Sequence, residues 1–323
     1  MLFDKRVELK PWEYPEFNDY KDAIRHSYWI HTEFNVDEDI QDFRTQVSEA
    51  EQTAIKNSML AIAQIEVAVK TFWGDLYKRI PKPEAGSVGY TFAESEVRHH
   101  DAYSFLLERL GLNYEFERIH KIPAMIDRID YLQDYIDLKK SKEDKDFSMA
   151  VLLFSIFIEH ISLFSQFLIM MSFNREKNLF KGISNIVEAT SKEEQIHGQF
   201  GTYVINVLQK EYPEWFEGDF EEHVQAAALK AFKAENKVID WIFEDGELDF
   251  LPKNTVREFL KHRFNTALEN VGVESIFEVD EEEVDKTLWF DEEVVAGKQY
   301  DFFYKRPTSY SKKMKSITEN DLF

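Results

Sequence analysis

Cysteine is absent from all 323 residues, which excludes disulfides, thiolate metal sites and thiol nucleophiles. A reaction that consumes thiols would need a second subunit to supply them. Positive charge is also in deficit: 39 Lys and Arg stand against 61 Asp and Glu, giving a formal net charge of −22 and a pI near 4.9. Phosphate neutralisation requires a basic face, so no direct nucleic-acid partner is expected. There is no Gly-rich phosphate loop, and glycine and proline are scarce, at 11 and 8 residues. The opening residues Met1-Leu2-Phe3-Asp4-Lys5-Arg6 lack the apolar core and small-residue cleavage site of a signal peptide, which favours the cytoplasm.

What is abundant is apolar and aromatic side chain, 44% and 15% of the sequence, enough to bury a substantial core. Apolar residues recur with helical rather than alternating spacing, so the expected class is all-α. Helices are predicted over roughly 18–31, 40–79, 92–110, 115–140, 146–173, 176–210, 220–246 and 252–270. Breaks are expected at Ile80–Gly89, which carries two prolines and two glycines, and at the charged run Ser141–Asp146. Met149–Phe173 is almost wholly apolar over 25 residues, long enough to span a bilayer. Glu159, His160 and Gln166 interrupt it, and the reading adopted is a buried bundle helix with no membrane partner. The periodic pattern fades near Gln299, so one domain over 1–298 and a mobile tail over 299–323 are expected.

Two similar half-motifs carry the chemistry. Glu66 precedes Glu96-Val97-Arg98-His99 by 30 residues, and Glu159 precedes Glu194-Gln195-Ile196-His197 by 35. Positions i and i+3 share a helix face, so each Glu-x-x-His aims a carboxylate and an imidazole at one point. Thirty-odd residues suffice to leave that point, turn and return on an antiparallel neighbour, so four helices can converge. Four carboxylates and two imidazoles balance two divalent cations and suit Fe or Mn. The ligand set is the known pattern of ferritin-like di-iron and di-manganese bundles, so the assignment is a match to that pattern.

The spacing alone is weak. Glu117-Arg118-Ile119-His120 has it too, beside Lys121-Ile122-Pro123 and without an upstream Glu to complete a half-site, and it reads as a surface pair. An exposed ion pair worth a few tenths of a kcal/mol is the plain alternative for the other two. Against it, Glu66 lies in Met59–Val69 and Glu159 in Phe154–Glu159, both strongly apolar. A carboxylate buried there requires a partner or a metal.

At these residues the chain resembles class I ribonucleotide reductase small subunits. Ser95-Glu96-Val97-Arg98-His99-His100-Asp101-Ala102-Tyr103 is similar to the segment in which a metal-binding Glu-x-x-His is followed four residues later by the radical tyrosine. Phe157-Ile158-Glu159 and Glu193-Glu194-Gln195-Ile196-His197 resemble the second half of that site. The resemblance implies a ferritin-like helical bundle with a dinuclear metal site in its core. Its implied ligands are Glu66, Glu96, His99, Glu159, Glu194 and His197, with Tyr103 one turn beyond. It implies electron-relay roles for Trp29 and for Glu193, which stands where the family usually has aspartate. It also implies a homodimer and a large-subunit partner, whose cysteine starts reduction of ribonucleotides. The tail similarly offers Tyr310 as relay tyrosine, with Tyr304 as runner-up, and a docking terminus Glu319-Asn320-Asp321-Leu322-Phe323.

Three departures bear on where the oxidant resides. Glu66 replaces the family's usual aspartate. Lys70 follows four residues later, read as the same helix face and as a cation near the cluster; the plain alternative is a side chain reaching solvent. Thr190 is polar where the family surrounds its tyrosine with apolar groups. Together they resemble subgroups that keep the oxidising equivalent on the metals. The expectation is therefore two metal ions per chain, Mn/Mn favoured over Fe/Fe or Mn/Fe, with Tyr103 unoxidised. The competing functions are a ferritin-like ligand-binding oxidase and a ferroxidase, both acting without a large subunit.

Overall fold

The computed structural model describes residues 1–295, apart from Ala68 and the side chains of Lys70 and Val295. The tail over 299–323, with Tyr304 and Tyr310, lies outside the described residues. The described residues are helical, with a single isolated bridge, Leu248 to Leu251, and no strand.

The chain enters through α1 (Phe17–His26) and α2 (Asp37–Thr45). The helix predicted over 40–79 is three pieces and more: α2 ends at Thr45, and α3 (Glu49–Ile65) begins afresh. Ser48 accepts from the Glu51 amide at 3.3 Å and donates its own amide to Glu51 Oε2 at 2.8 Å, a reciprocal cap that starts a new helix. Glu66 caps the end of α3, and α4 (Lys70–Gly74) and α5 (Leu76–Arg79) follow. No continuous helix therefore joins Glu66 to Lys70, and the same-face argument for that pair does not hold. No proline or glycine marks this break.

The next helix, α6 (Pro83–Leu110), starts nine residues before the predicted 92. Pro83 is its first residue, where a missing N–H costs nothing. Gly86 and Gly89 lie inside it as close-contact positions rather than breakers. A Cβ on Gly89 would come 2.6 Å from the Trp73 carbonyl, and one on Gly86 would come 2.9 Å from the Tyr77 ring. The predicted 115–140 helix is divided into α7 (Asn113–Glu117), a 3₁₀ turn (Ile119–Lys121) and α8 (Pro123–Lys139). Pro123 holds Ile122 in an extended conformation, which ends the preceding turn.

The long apolar run is α9 (Asp144–Phe154), a π-helical segment (Ser155–Ser162) and α10 (Phe164–Lys177). Its most apolar window is 94% buried, so packing within the bundle accounts for its composition. Then come α11 (Lys181–Glu211), α12 (Phe220–Ile242), α13 (Lys253–Glu269), α14 (Glu281–Asp285) and α15 (Leu288–Val295). Helices α3, α6 and α11, with the π segment, supply the six predicted ligands.

Candidate metal centre

All six predicted ligands converge in the interior, each at most 1% exposed. Their ligating atoms form two overlapping groups, Glu66 with Glu96 and His99, and Glu96 with Glu159, Glu194 and His197. Glu96 belongs to both. His99 Nδ1 lies 3.5 Å from Glu96 Oε2 and 2.9 Å from Glu194 Oε1, while His197 Nδ1 lies 3.1 Å from Glu96 Oε1 and 3.0 Å from Glu194 Oε2. Two carboxylates thus each offer one oxygen to either imidazole, the arrangement of bridging ligands between two ions.

The far nitrogen of each imidazole is fixed. His99 Nε2 lies 2.8 Å from Glu193 Oε2, and a carboxylate only accepts, so Nε2 carries the hydrogen. His197 Nε2 lies 3.0 Å from Ser95 Oγ, whose own hydrogen goes to the Phe92 carbonyl at 2.8 Å, so here too Nε2 donates. Both Nδ1 atoms are left to face the carboxylates. Such outer partners set the ring orientation and basicity of ligating histidines.

Several inner oxygens have no hydrogen-bond partner: both of Glu66, both of Glu96 and Oε1 of Glu194. Burial holds the Glu66 carboxyl well above the usual carboxylate range, with Glu96 and Glu194 adding to the rise. Glu159 is raised in the same way by burial, Glu194 and Glu96. Burial opposes ionisation of Glu194 as well, but His99 and His197 hold it well below the ordinary range. Burial also acts to lower both imidazoles, and the carboxylates around them override it and raise both. A donor set of orphaned buried oxygens around two directed imidazoles fits two divalent cations of the Fe or Mn kind.

Trp73 was not foreseen. Its indole N–H donates to Glu159 Oε1 at 2.7 Å, leaving Oε2 toward His197. The close approach at Gly89 brings Trp73 there; its partner is 86 residues away, so no local pattern announces the contact. Arg98 was quoted only as part of a motif, yet its guanidinium grips both oxygens of Glu193 at 3.1 and 3.0 Å and donates to the Trp29 carbonyl at 3.2 Å. Tyr103 is buried, and Thr190 is the polar neighbour of its hydroxyl. Burial pushes the Tyr103 phenol upward. Lys70 opens α4, and its side chain lies outside the described residues. Glu117 and His120 are exposed, as a surface pair would be.

The family profile described as ribonucleotide reductase, small chain, matches residues 6–284. A probable ribonucleoside-diphosphate reductase small subunit of Invertebrate iridescent virus 3 is 26% identical over 96% of this chain and 86% of its own length. The ribonucleoside-diphosphate reductase subunit beta of Chlamydia pneumoniae is 24% identical over 87% of this chain and 83% of its own. The ribonucleotide reductase R2 subunit of Clostridium botulinum has a like fold, with a TM-score of 0.80 at 17% identity over 90% of this chain and 91% of that one. So has the dimanganese(II) NrdF protein of Streptococcus sanguinis, with a TM-score of 0.74 at 15% identity over 91% of this chain and all (100%) of that one.

Proposed function

The chain belongs to the ribonucleotide reductase small-chain family, and from that premise we propose that Glu66, Glu96, His99, Glu159, Glu194 and His197 hold two metal ions per chain, manganese in both places. The protein is the small subunit of an oxidoreductase that makes deoxyribonucleotides, and a large catalytic subunit is its partner. When bound, the two ions supply the one-electron oxidant that starts nucleotide reduction. The absence of cysteine fits this division of labour, because the reducing thiols then belong to the large subunit.

The observation that carries the reading is the paired direction of the imidazoles: Glu193 and Ser95 each occupy one Nε2, and both Nδ1 atoms meet Glu96 and Glu194. Glu96 and Glu194, which face both imidazoles, would be available to both ions, Glu66 and Glu159 would complete the set, and Trp73 holds Glu159 by one oxygen. Trp29 and Glu193, each in contact with His99, form the inner part of the electron path. Its outer part is a tail tyrosine, Tyr310 or else Tyr304, within a docking tail over 299–323.

Manganese and a metal-centred oxidant are supported by Glu66, a ligand one methylene longer than aspartate with neither oxygen otherwise engaged, and by Thr190 beside Tyr103. The dimanganese state in the name of the similar-fold Streptococcus sanguinis protein is a parallel in a relative. Tyr103 then stays unoxidised. A homodimer is the assembly that the family reading implies. The substrates are ribonucleoside diphosphates and the location is cytoplasmic.

The deciding experiment is deoxynucleotide formation by the metal-loaded chain with and without its large subunit. Turnover only in the mixture supports the reading. Oxidation of an organic substrate or of iron by the chain alone, with no gain from the large subunit, would replace it with the oxidase or ferroxidase alternative.

A further inference from the structure

The helix bearing Glu159 is not α-helical where Glu159 sits. Ser155–Ser162 runs with π geometry, a widened form that is rare, costs hydrogen-bond quality and concentrates at functional sites. A return to α geometry would advance the register by a residue and rotate Glu159 away from the other ligands. Something has to hold the wide form.

Three carbonyls of this segment are taken by side chains. Ser162 Oγ donates to the Phe157 carbonyl, Arg263 Nε to the His160 carbonyl at 2.7 Å, and Arg128 Nη2 to the Ser162 carbonyl. Arg128 is the centre of this set. It is fully buried, and its fork meets Glu235 through two bonds of 2.9 Å each. It also donates to Gln166 Oε1 at 2.8 Å, just beyond the π segment, and to the Ala61 carbonyl at 2.9 Å. Ala61 belongs to α3, the helix that ends at Glu66. Tyr131 adds a hydroxyl that donates to Glu235 and touches the Ser162 hydroxyl. On the opposite side the segment lies flat on α11, where added Cβ atoms at Gly198 and Gly201 would come within 2.3 Å of the His160 ring and 1.8 Å of Ser155 Oγ.

We infer that the Arg128–Glu235 pair, with Tyr131, is a positioning device for the metal centre: it locks the π register of Ser155–Ser162 and so sets where the Glu159 carboxylate stands. None of its members belongs to the six-ligand set. Stability alone gives little reason for such a pair, because a buried ion pair is often replaceable by apolar side chains without loss. What apolar replacements cannot do is donate to the Ser162 and Ala61 carbonyls together, which ties the Glu159 segment to the helix that ends at Glu66.

This inference rests on the six-ligand reading, and the test separates the two. Mn(II) binding to the metal-free full-length chain is titrated by the resonance signal of free Mn(II), beside thermal unfolding and amide exchange over 155–166. Wild type and Glu159→Ala define which binding step depends on Glu159; an absence of Mn(II) binding by wild type sinks the six-ligand reading and the inference with it. In Arg128→Met/Glu235→Met the unfolding midpoint is expected to stay near wild type, the Glu159-dependent step to weaken by about tenfold or more, the other step to hold, and exchange over 155–162 to quicken. Should that pair of changes prevent folding, Arg128→Lys keeps the charge, loses the fork and is expected to show the same selective weakening to a smaller degree. A folded variant that binds both ions with wild-type affinity and exchanges as wild type does overturns the inference.

Discussion

The indole of Trp29 lies almost parallel to the imidazole of His99, with ring centroids 5.9 Å apart and planes inclined by 17°. The two rings meet by stacking, while Glu193 is engaged by Arg98 and His99 rather than by the indole N–H, which has no partner among the described residues. Arg98 stands 4.7 Å over the exposed ring of Tyr28 and 5.7 Å over Trp29. An aromatic contact and a carboxylate thus lead from His99 toward the surface side by side.

Trp29→Phe should therefore separate storage from delivery. Two ions still bind and the oxidised state still forms, while turnover with the large subunit falls about a hundredfold. Metal content, paramagnetic resonance and deoxynucleotide formation on one sample check this, and undiminished turnover removes Trp29 from the electron path. Glu193→Gln is the companion change, chosen because removing the side chain outright would strand the buried Arg98 charge.

Tyr103→Phe should keep turnover and metal content. The buried phenol loses only the contact of its hydroxyl with Thr190, so stability should stay within about 1 kcal/mol. Resonance on the oxidised wild type should be broad with manganese hyperfine structure. A narrow organic-radical signal, or complete loss of activity in Tyr103→Phe, would instead place the oxidant on the tyrosine.

Mn(II) affinity should rise with pH. In the metal-free site Glu66 and Glu159 hold protons more tightly than free carboxyls because burial raises them, and His99 and His197 more tightly than a free imidazole because the neighbouring carboxylates outweigh burial. All four have raised values, so ligation must expel protons, and acid opposes it. The expected slope of log affinity against pH is positive, with protons released into a weakly buffered titration. A flat profile would show that the site is already deprotonated before metal arrives.

Glu66→Leu should trade function for stability. The carboxyl is 1% exposed with neither oxygen hydrogen-bonded, and an unsatisfied buried polar group costs about 1–3 kcal/mol. An apolar side chain of similar size should raise the metal-free unfolding midpoint and reduce bound Mn(II) from two ions per chain to one. A lowered midpoint with two ions still bound would remove Glu66 from the ligand set.

The six-residue centre was legible because its signal is doubled and local: i and i+3 share a face wherever the helix falls, and Glu66 and Glu159 stand in apolar surroundings that demand a partner. The helix boundaries were less legible because proline and glycine have two meanings. At Pro83 and Gly89 they start a helix and permit close packing, where composition suggested a break. The interruption after Glu66 and the π geometry around Glu159 carry no residue-type signature. Trp73, Ser95, Arg98 and Arg128 act through partners 34 to 107 residues away, which only the folded chain brings together.

Glu96 and Glu194 each reach toward both imidazoles, and that sharing makes the two ions thermodynamically interdependent. Filling one position would displace protons and fix two carboxylates that the other also uses, while adding a charge that opposes the second ion, so the two steps would differ in affinity. A preparation at a metal-to-protein ratio of one then consists largely of chains with one position filled, and activity rises only as the second position is occupied.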